Sequence, residues 1–529
     1  MGHMVTNRGI SSNQISYYKI NPLKRLFLFC ISMLFSTSVV AASGWTITPS
    51  VDITETYTDN VRLSNAADTA GDFVTDINPG IAIERKGKRL QLNAEYGIQA
   101  LFYADDSDRD EIYNNLRAAL ASELIENHLY FDSNATISQS LVDPSKRQSG
   151  DIYSAADRNE IYTLELAPRL EHKLGSFANV KLGYNFNAIR YKDVSESGND
   201  IANSDNTSAN FEISNSSAFS TLSWRLAYSQ NDVERDGQDN ISSTVGFAEA
   251  RLRLNKSFNL IVNGGDEDHD FDSQNDSINS FKNGSYVAAG LGWAPNKKIA
   301  IDILSGDNSK QASIRFTPTT RTSMYVDWRD RSVGTNIGEA WKGDFQLRSK
   351  RSTWRATFTE DLTTQQEIQS GNQIDAFTGK LVFNPEPGQA VIVLPIDIFE
   401  LTNEIFIRKR AELSMGYNTS KSNILMSVFK EDREFEVVGD DETAIGGSAT
   451  WRLRLSSRTN LDFAVHAEKR ELRSTDIEDG LWSFDVSIDR RVSRKIKASV
   501  GYQHSALLSS DNSREYDENR VTLNIGIGF

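Results

Sequence analysis

Proton transfer near neutral pH calls first for histidine, and the chain carries six. His3 and the only cysteine, Cys30, lie in the first 42 residues. His128 and His172 fall at expected turns, His269 in an expected loop, and His466 and His504 on expected strands. His466 has acid–base spacing, with Asp462 and Glu468 at i−4 and i+2 on one face of an extended segment. A polar side chain in a wet lining is the better account of it. No HExxH, P-loop, CxxC or GxSxG occurs, so no enzyme, catalytic residue, metal or cofactor is expected. The acid clusters DDSDRDE (105–111) and GGDEDHDFD (264–272) carry hard oxygen ligands of the kind Ca²⁺ takes. Neither fits an EF-hand loop, and both read as solvated loop tips, with weak divalent bridging to lipopolysaccharide as the alternative.

A second set of charges is more informative. Glu249, Arg251 and Arg253; Asp344 and Arg348; Arg355; Arg408, Arg410 and Glu412; Arg452 and Arg454; and Asp485 and Asp489 all alternate with apolar residues. In an extended strand such charges share one face and the apolar residues the other. Both signs together suit two uses. The first is an Arg–carboxylate ladder that stiffens a wide wall; the second is a polar lining for a sugar chain or an ion.

The elements that position these residues are strands. Alternation runs through Trp45–Ile53, Leu90–Phe102, Tyr162–Leu170, Val180–Phe186, Ala449–Leu455, Trp482–Ile488 and the final Val521–Phe529. Short gaps such as RKGK (85–88), NKS (255–257) and SSRT (456–459) take turns with mostly longer acidic ones: 105–110, 141–158, 266–277, 431–442 and 508–516. That is the pattern of tight periplasmic turns and long external loops in an outer-membrane barrel. The fold expected is all-β, a large antiparallel transmembrane barrel of about 24 strands. The hairpin around SGDNS (305–309) is its weakest element, and without it the count is about 22. Pro49, Pro79 and Pro168 conflict with strands and are expected near periplasmic strand ends. Lys409 is on the lipid-facing register and is expected to snorkel at the outer interface. Phe177, Phe219, Phe258, Phe316 and Trp293 adjoin short gaps, and Trp328, Trp341 and Trp482 adjoin long ones, as two interfacial belts would.

Lys24 and Arg25 precede the short apolar run LFLFCISMLFS and then VVAA, so residues 1–42 read as a cleaved secretory signal and 43–529 as the barrel. No later apolar run is long enough for a membrane helix. The net charge is −15, and the leader contributes only bases, so the remainder is more acidic still. Nucleic acid is therefore not an expected partner. Outer-membrane lipid is, and so is the barrel assembly machinery, for which Thr522, Ile527 and Phe529 are the candidate C-terminal signal. The longest loop, about 362–403, holds Leu381, Phe383, Val391, Val393 and Leu394, too apolar to hang in water. KLVFN and QAVIVL, joined by PEPG, read as a hairpin forming a lid or constriction.

Two further stretches carry a resemblance. ITETYTDNVRLS (53–64) closes the first strand, and NGSYVAAGLGWAPNKKIAIDILSG (283–306) holds a Gly-Trp-x-Pro strand and turn, with WRATFTEDLTTQ (354–365) following. Together they resemble the PEP-CTERM-associated outer-membrane proteins, akin to barrels encoded with exopolysaccharide genes. The resemblance implies a role in export or assembly of an exopolysaccharide, with a periplasmic polysaccharide export protein as partner. It carries over no catalytic residue. A passive or substrate-selective porin is the alternative, and a barrel-borne enzyme acting on lipid or polysaccharide the third reading.

Overall fold

A computed structural model describes residues 44–529 apart from 66–68, 142–157, 193–202, 237–239, 272–280, 336, 365–372, 376–390, 394–404, 436–440 and 473–476. The alternating segments become strands that pair antiparallel with their neighbours in sequence, from Trp45–Thr58 to Tyr516–Gly528. First and last strands pair from Ser50 opposite Gly528 to Thr58 opposite Arg520, which closes a 24-stranded barrel. Closure leaves no open edge, so every strand finds a ladder on both sides.

The two faces separate cleanly. Leu413, Val428, Ile445, Val465 and Ile525 are exposed on the outside. On the inside, Arg251 reaches Asp302 across two intervening strands, Phe258–Phe271 and Gly284–Asn296. Only a concave face brings such distant strands together. Gly292 lies under this pair, where an added Cβ would stand 2.5 Å from Asp302 Oδ1. Toward the long-loop end the outer face turns charged, with Lys310–Asp330 at 3.1 Å, Lys430–Asp432 at 2.9 Å and Lys469–Glu478 at 3.0 Å. Toward the short-turn end Phe177, Phe219 and Trp224 form an aromatic cluster with centroids 5.2 to 6.2 Å apart.

The hairpin at 305–309 is formed by Ile299–Asp307 and Ser309–Thr319, with Asn308 at φ +58°. Its arms are short, and a separate two-stranded patch, Phe281–Lys282 with Gly334–Thr335, ties the flanking loops together. Arg331 Nη1 donates to Glu267 Oε1 at 2.7 Å beside it, and Gly334, at φ +94°, leaves room for the Glu267 carboxylate.

Several sequence expectations need correction. Residues 266–271 and 431–435 are not loop but the ends of strands Phe258–Phe271 and Ser422–Phe435. Their acids and bases alternate as the apolar residues do nearer the membrane, so His269 is a buried inward residue rather than a loop residue. Pro79 and Pro168 are not at strand ends. Each sits where the ladder to the next strand skips two positions, which spares the bond a missing N–H cannot make. Pro49 sits where the last strand runs out, its carbonyl accepting from Phe529 N at 2.9 Å. Lys409 does not snorkel alone: its ammonium pairs with Glu434 at 2.6 Å and Glu360 at 3.7 Å.

Candidate functional site

The lining is built from every second residue of each strand, and pairing dominates it. Arg251 donates to both oxygens of Asp302, at 3.1 and 3.0 Å, and lies 3.8 Å from Glu249. Arg355 donates twice to Asp344 Oδ2, at 3.0 and 2.8 Å. Arg452 donates to both oxygens of Asp462 at 2.6 and 3.3 Å, with Asp489 beside the pair. Bidentate geometry of this kind fixes the long arginine side chain in direction as well as place. Arg253, Arg348 and Arg454 are exposed at the short-turn ends of their strands. Asp485 is half-buried, in register with Ala464 and Gln503.

Nearer the long loops the same chemistry is buried. Glu431, 1% exposed, accepts from Arg408 Nη2 at 2.8 Å, Arg410 Nη1 at 2.7 Å and Arg433 Nε at 2.9 Å. Arg410 also donates to Glu412, at 3.2 and 2.9 Å. The guanidiniums of Arg410 and Arg433 lie over Phe429 and Phe406, at 4.4 and 4.7 Å. The rings supply an electron-rich face where one carboxylate faces three cations. Arg408 and Arg410 were expected from the alternation. Glu431 and Arg433 were missed because the acidic stretch 431–442 read as loop. The signal was there: Phe429, Glu431, Arg433 and Phe435 keep period two.

Aromatic faces under arginine recur elsewhere on the inner wall: Arg169 over Tyr130, Arg225 over Phe247 and Arg331 over Tyr286, at 4.9, 4.9 and 4.0 Å. His466 faces Glu468 at 3.4 Å, while Asp462 is engaged by Arg452, so the acid–base grouping of His466 with both carboxylates, the less favoured reading of the spacing, is not assembled. Among the described residues no three His, Cys, Asp or Glu side chains converge as a metal site.

Leu381, Phe383 and Leu394, like the KLVFN and PEPG stretches, lie outside the described residues. Val391 and Val393 belong to a strand that pairs with Gln373–Asp375. In the C-terminal signal, Thr522 is not on the face of its neighbours Leu523 and Ile525, both exposed outside. It faces the lumen, its hydroxyl 3.3 Å from that of Thr56. Period two places 522 opposite to 521, 523, 525 and 527. Ile527 keeps the outer register and pairs with Val51.

The fold and the lining define a class: a closed 24-stranded β-barrel, apolar outside, with charge pairs within. No family model matches the chain and no curated protein matches it. Among solved structures it is similar to the siderophore receptor PirA from Acinetobacter baumannii, at 8% identity and TM-score 0.44, over 93% of this chain and 81% of that one. It is similar also to the FrpB iron transporter from Neisseria meningitidis, at 9% identity and TM-score 0.44, over 91% and 82%. A third is OmpT, an outer membrane protein of Vibrio cholerae, in a form lacking loop L8, at 7% and 0.32, over 92% and 100%.

Proposed function

We propose that the chain resides in the outer membrane of a Gram-negative bacterium, directed there by residues 1–42, and passes an exopolysaccharide through its lumen. The observation that supports this reading is the lining: paired charges at Arg251–Asp302, Arg355–Asp344 and Arg452–Asp462 that stay hydrated without leaving a strong net field. A hydrated polymer slides past compensated charges, whereas a run of one sign would hold or repel it. Barrels of 16–18 strands already leave an aqueous channel, and this wall has 24 strands. The partners of this reading are outer-membrane lipid, the barrel assembly machinery and a periplasmic polysaccharide export protein. A porin for small solutes is the second reading, favoured by the same charge balance, which discriminates weakly between ions.

Deleting the gene in the producing bacterium separates the two. Export predicts loss of extracellular polysaccharide with material retained in the periplasm. Unchanged secretion together with reduced uptake of small hydrophilic solutes would replace export with the porin reading.

A further inference from the structure

Each neighbouring pair of barrel strands but one is joined by its own connection. The exception is the seam between Trp45–Thr58 and Tyr516–Gly528, which no hairpin holds. Its inner face is instead matched residue by residue. Gly526 makes room for Asp52, since an added Cβ would stand 2.3 Å from Asp52 Oδ1. Asn524 Nδ2 donates to Thr54 Oγ1 at 2.7 Å, and the hydroxyls of Thr56 and Thr522 are 3.3 Å apart. Thr58 Oγ1 donates to Glu518 Oε1 at 2.7 Å.

Past the ladder, the next two residues grip the last strand from opposite faces. Asn519 donates through its backbone N and its Nδ2 to the two carboxylate oxygens of Asp59, both at 2.8 Å. Asn60 Nδ2 donates to Asp517 O at 2.9 Å and to Ser64 O at 2.7 Å, and Ser64 N returns a bond to Asn60 Oδ1 at 2.8 Å. The chain then turns inward, with Leu63 at φ +49°. Val61 packs among Val74, Leu101, Tyr103 and Tyr113, on strands that follow the first. Leu63 packs on Leu507 and Tyr516, on strands that precede the seam from its other side. Two apolar residues, three and five positions past the strand end, are thus buried on opposite flanks of the one unlinked joint.

We propose that Asp52–Ser64 is a recognition site for the chain's own last strand, and that Asp59–Ser64 is the clasp that locks the barrel shut once that strand arrives. The proposal does not depend on what the lumen carries. Within this barrel, polar matching selects the last strand over other strands because only its inner face offers glycine at 526, amide at 524, hydroxyl at 522 and carboxylate at 518 in register with Asp52, Thr54, Thr56 and the end of the ladder.

The test uses the full chain assembled in cells. The readout is the temperature at which the fast-migrating folded form is lost on semi-native gels. Asp59→Ala with Asn60→Ala should lower that temperature, or remove the folded form. Ser427→Ala with Ser448→Ala removes an inner hydroxyl pair of 3.0 Å between strands that a hairpin does join, and should leave the temperature unchanged. Thr56→Cys with Thr522→Cys, oxidised, on the Asp59→Ala, Asn60→Ala background should restore the folded form. A wild-type transition in the clasp variant would overturn the proposal. So would an equal loss in the serine control, or failure of the oxidised cross-link to restore folding.

Discussion

The cluster at Glu431 and the pair Arg452–Asp462 use one chemistry in opposite surroundings. The side chains of Glu431 and Arg433 are 1% and 3% exposed, whereas those of Arg452 and Asp462 are 54% and 21% exposed. Water screens the second pair and can replace either partner when the other is lost. Glu431 is harder to replace: without it Arg410 keeps Glu412, but the carboxylate shared by Arg408, Arg410 and Arg433 is lost where little water reaches. The difference teaches that counting ion pairs along this lumen says little until burial is known.

The largest effect is expected from Glu431→Ala, which removes the carboxylate shared by three arginines in a buried cluster and should cost about 3–5 kcal/mol in urea unfolding from detergent or liposomes. Replacing Glu431 by Gln and Arg433 by Met together should recover part of that loss. If Glu431→Ala is as mild as Arg452→Ala, the contrast between the two regions fails. Next comes the face of the wall itself. Val465 lies in the middle of Thr459–Leu472 on the outer register, so Val465→Arg should cost about 2–4 kcal/mol. Thr450→Arg, on the inner register, should be mild in the same assay, and equal damage at both would show the register to be shifted by one. The smallest stability effect is expected from Arg452→Ala, at most about 1 kcal/mol, and less at high salt. Its readout is sharper in planar bilayers, where removing one inner cation beside Asp462 and Asp489 should shift ion selectivity toward cations.

The barrel was legible because alternation is a backbone property: side chains i and i+2 share a face whatever the loops do. Arg251, Arg355 and Arg452 could be placed inside from sequence, since each alternates with apolar residues. The pairing itself could not be read for Arg251, because Asp302 lies three strands away and only register decides that they meet. The upper cluster was hidden for a different reason. Where strands outrun the apolar band, both faces become polar, and Glu431, Arg433, Glu267 and His269 then look like loop. Loss of hydrophobic contrast is not loss of strand, and periodicity of charge has to be read in its place. Thr522 shows the opposite failure, a residue grouped with outer positions when parity alone puts it inside.

That overrun has a consequence for how the barrel sits. A strand such as Ser422–Phe435 has 14 residues, which at about 3.3 Å per residue and a tilt of about 40° stands roughly 35 Å high. The apolar band of such barrels is only about 25 Å tall. The remainder carries the charged collar of Lys430–Asp432, Lys409–Glu434 and Lys469–Glu478, while Phe177, Phe219 and Trp224 mark the opposite boundary. Sinking would drag fixed ions into hydrocarbon, and rising would strip the aromatic cluster from its interface. In a bilayer the wall would therefore be a ruler with a stop at each end, and a thicker bilayer would have to thin around it.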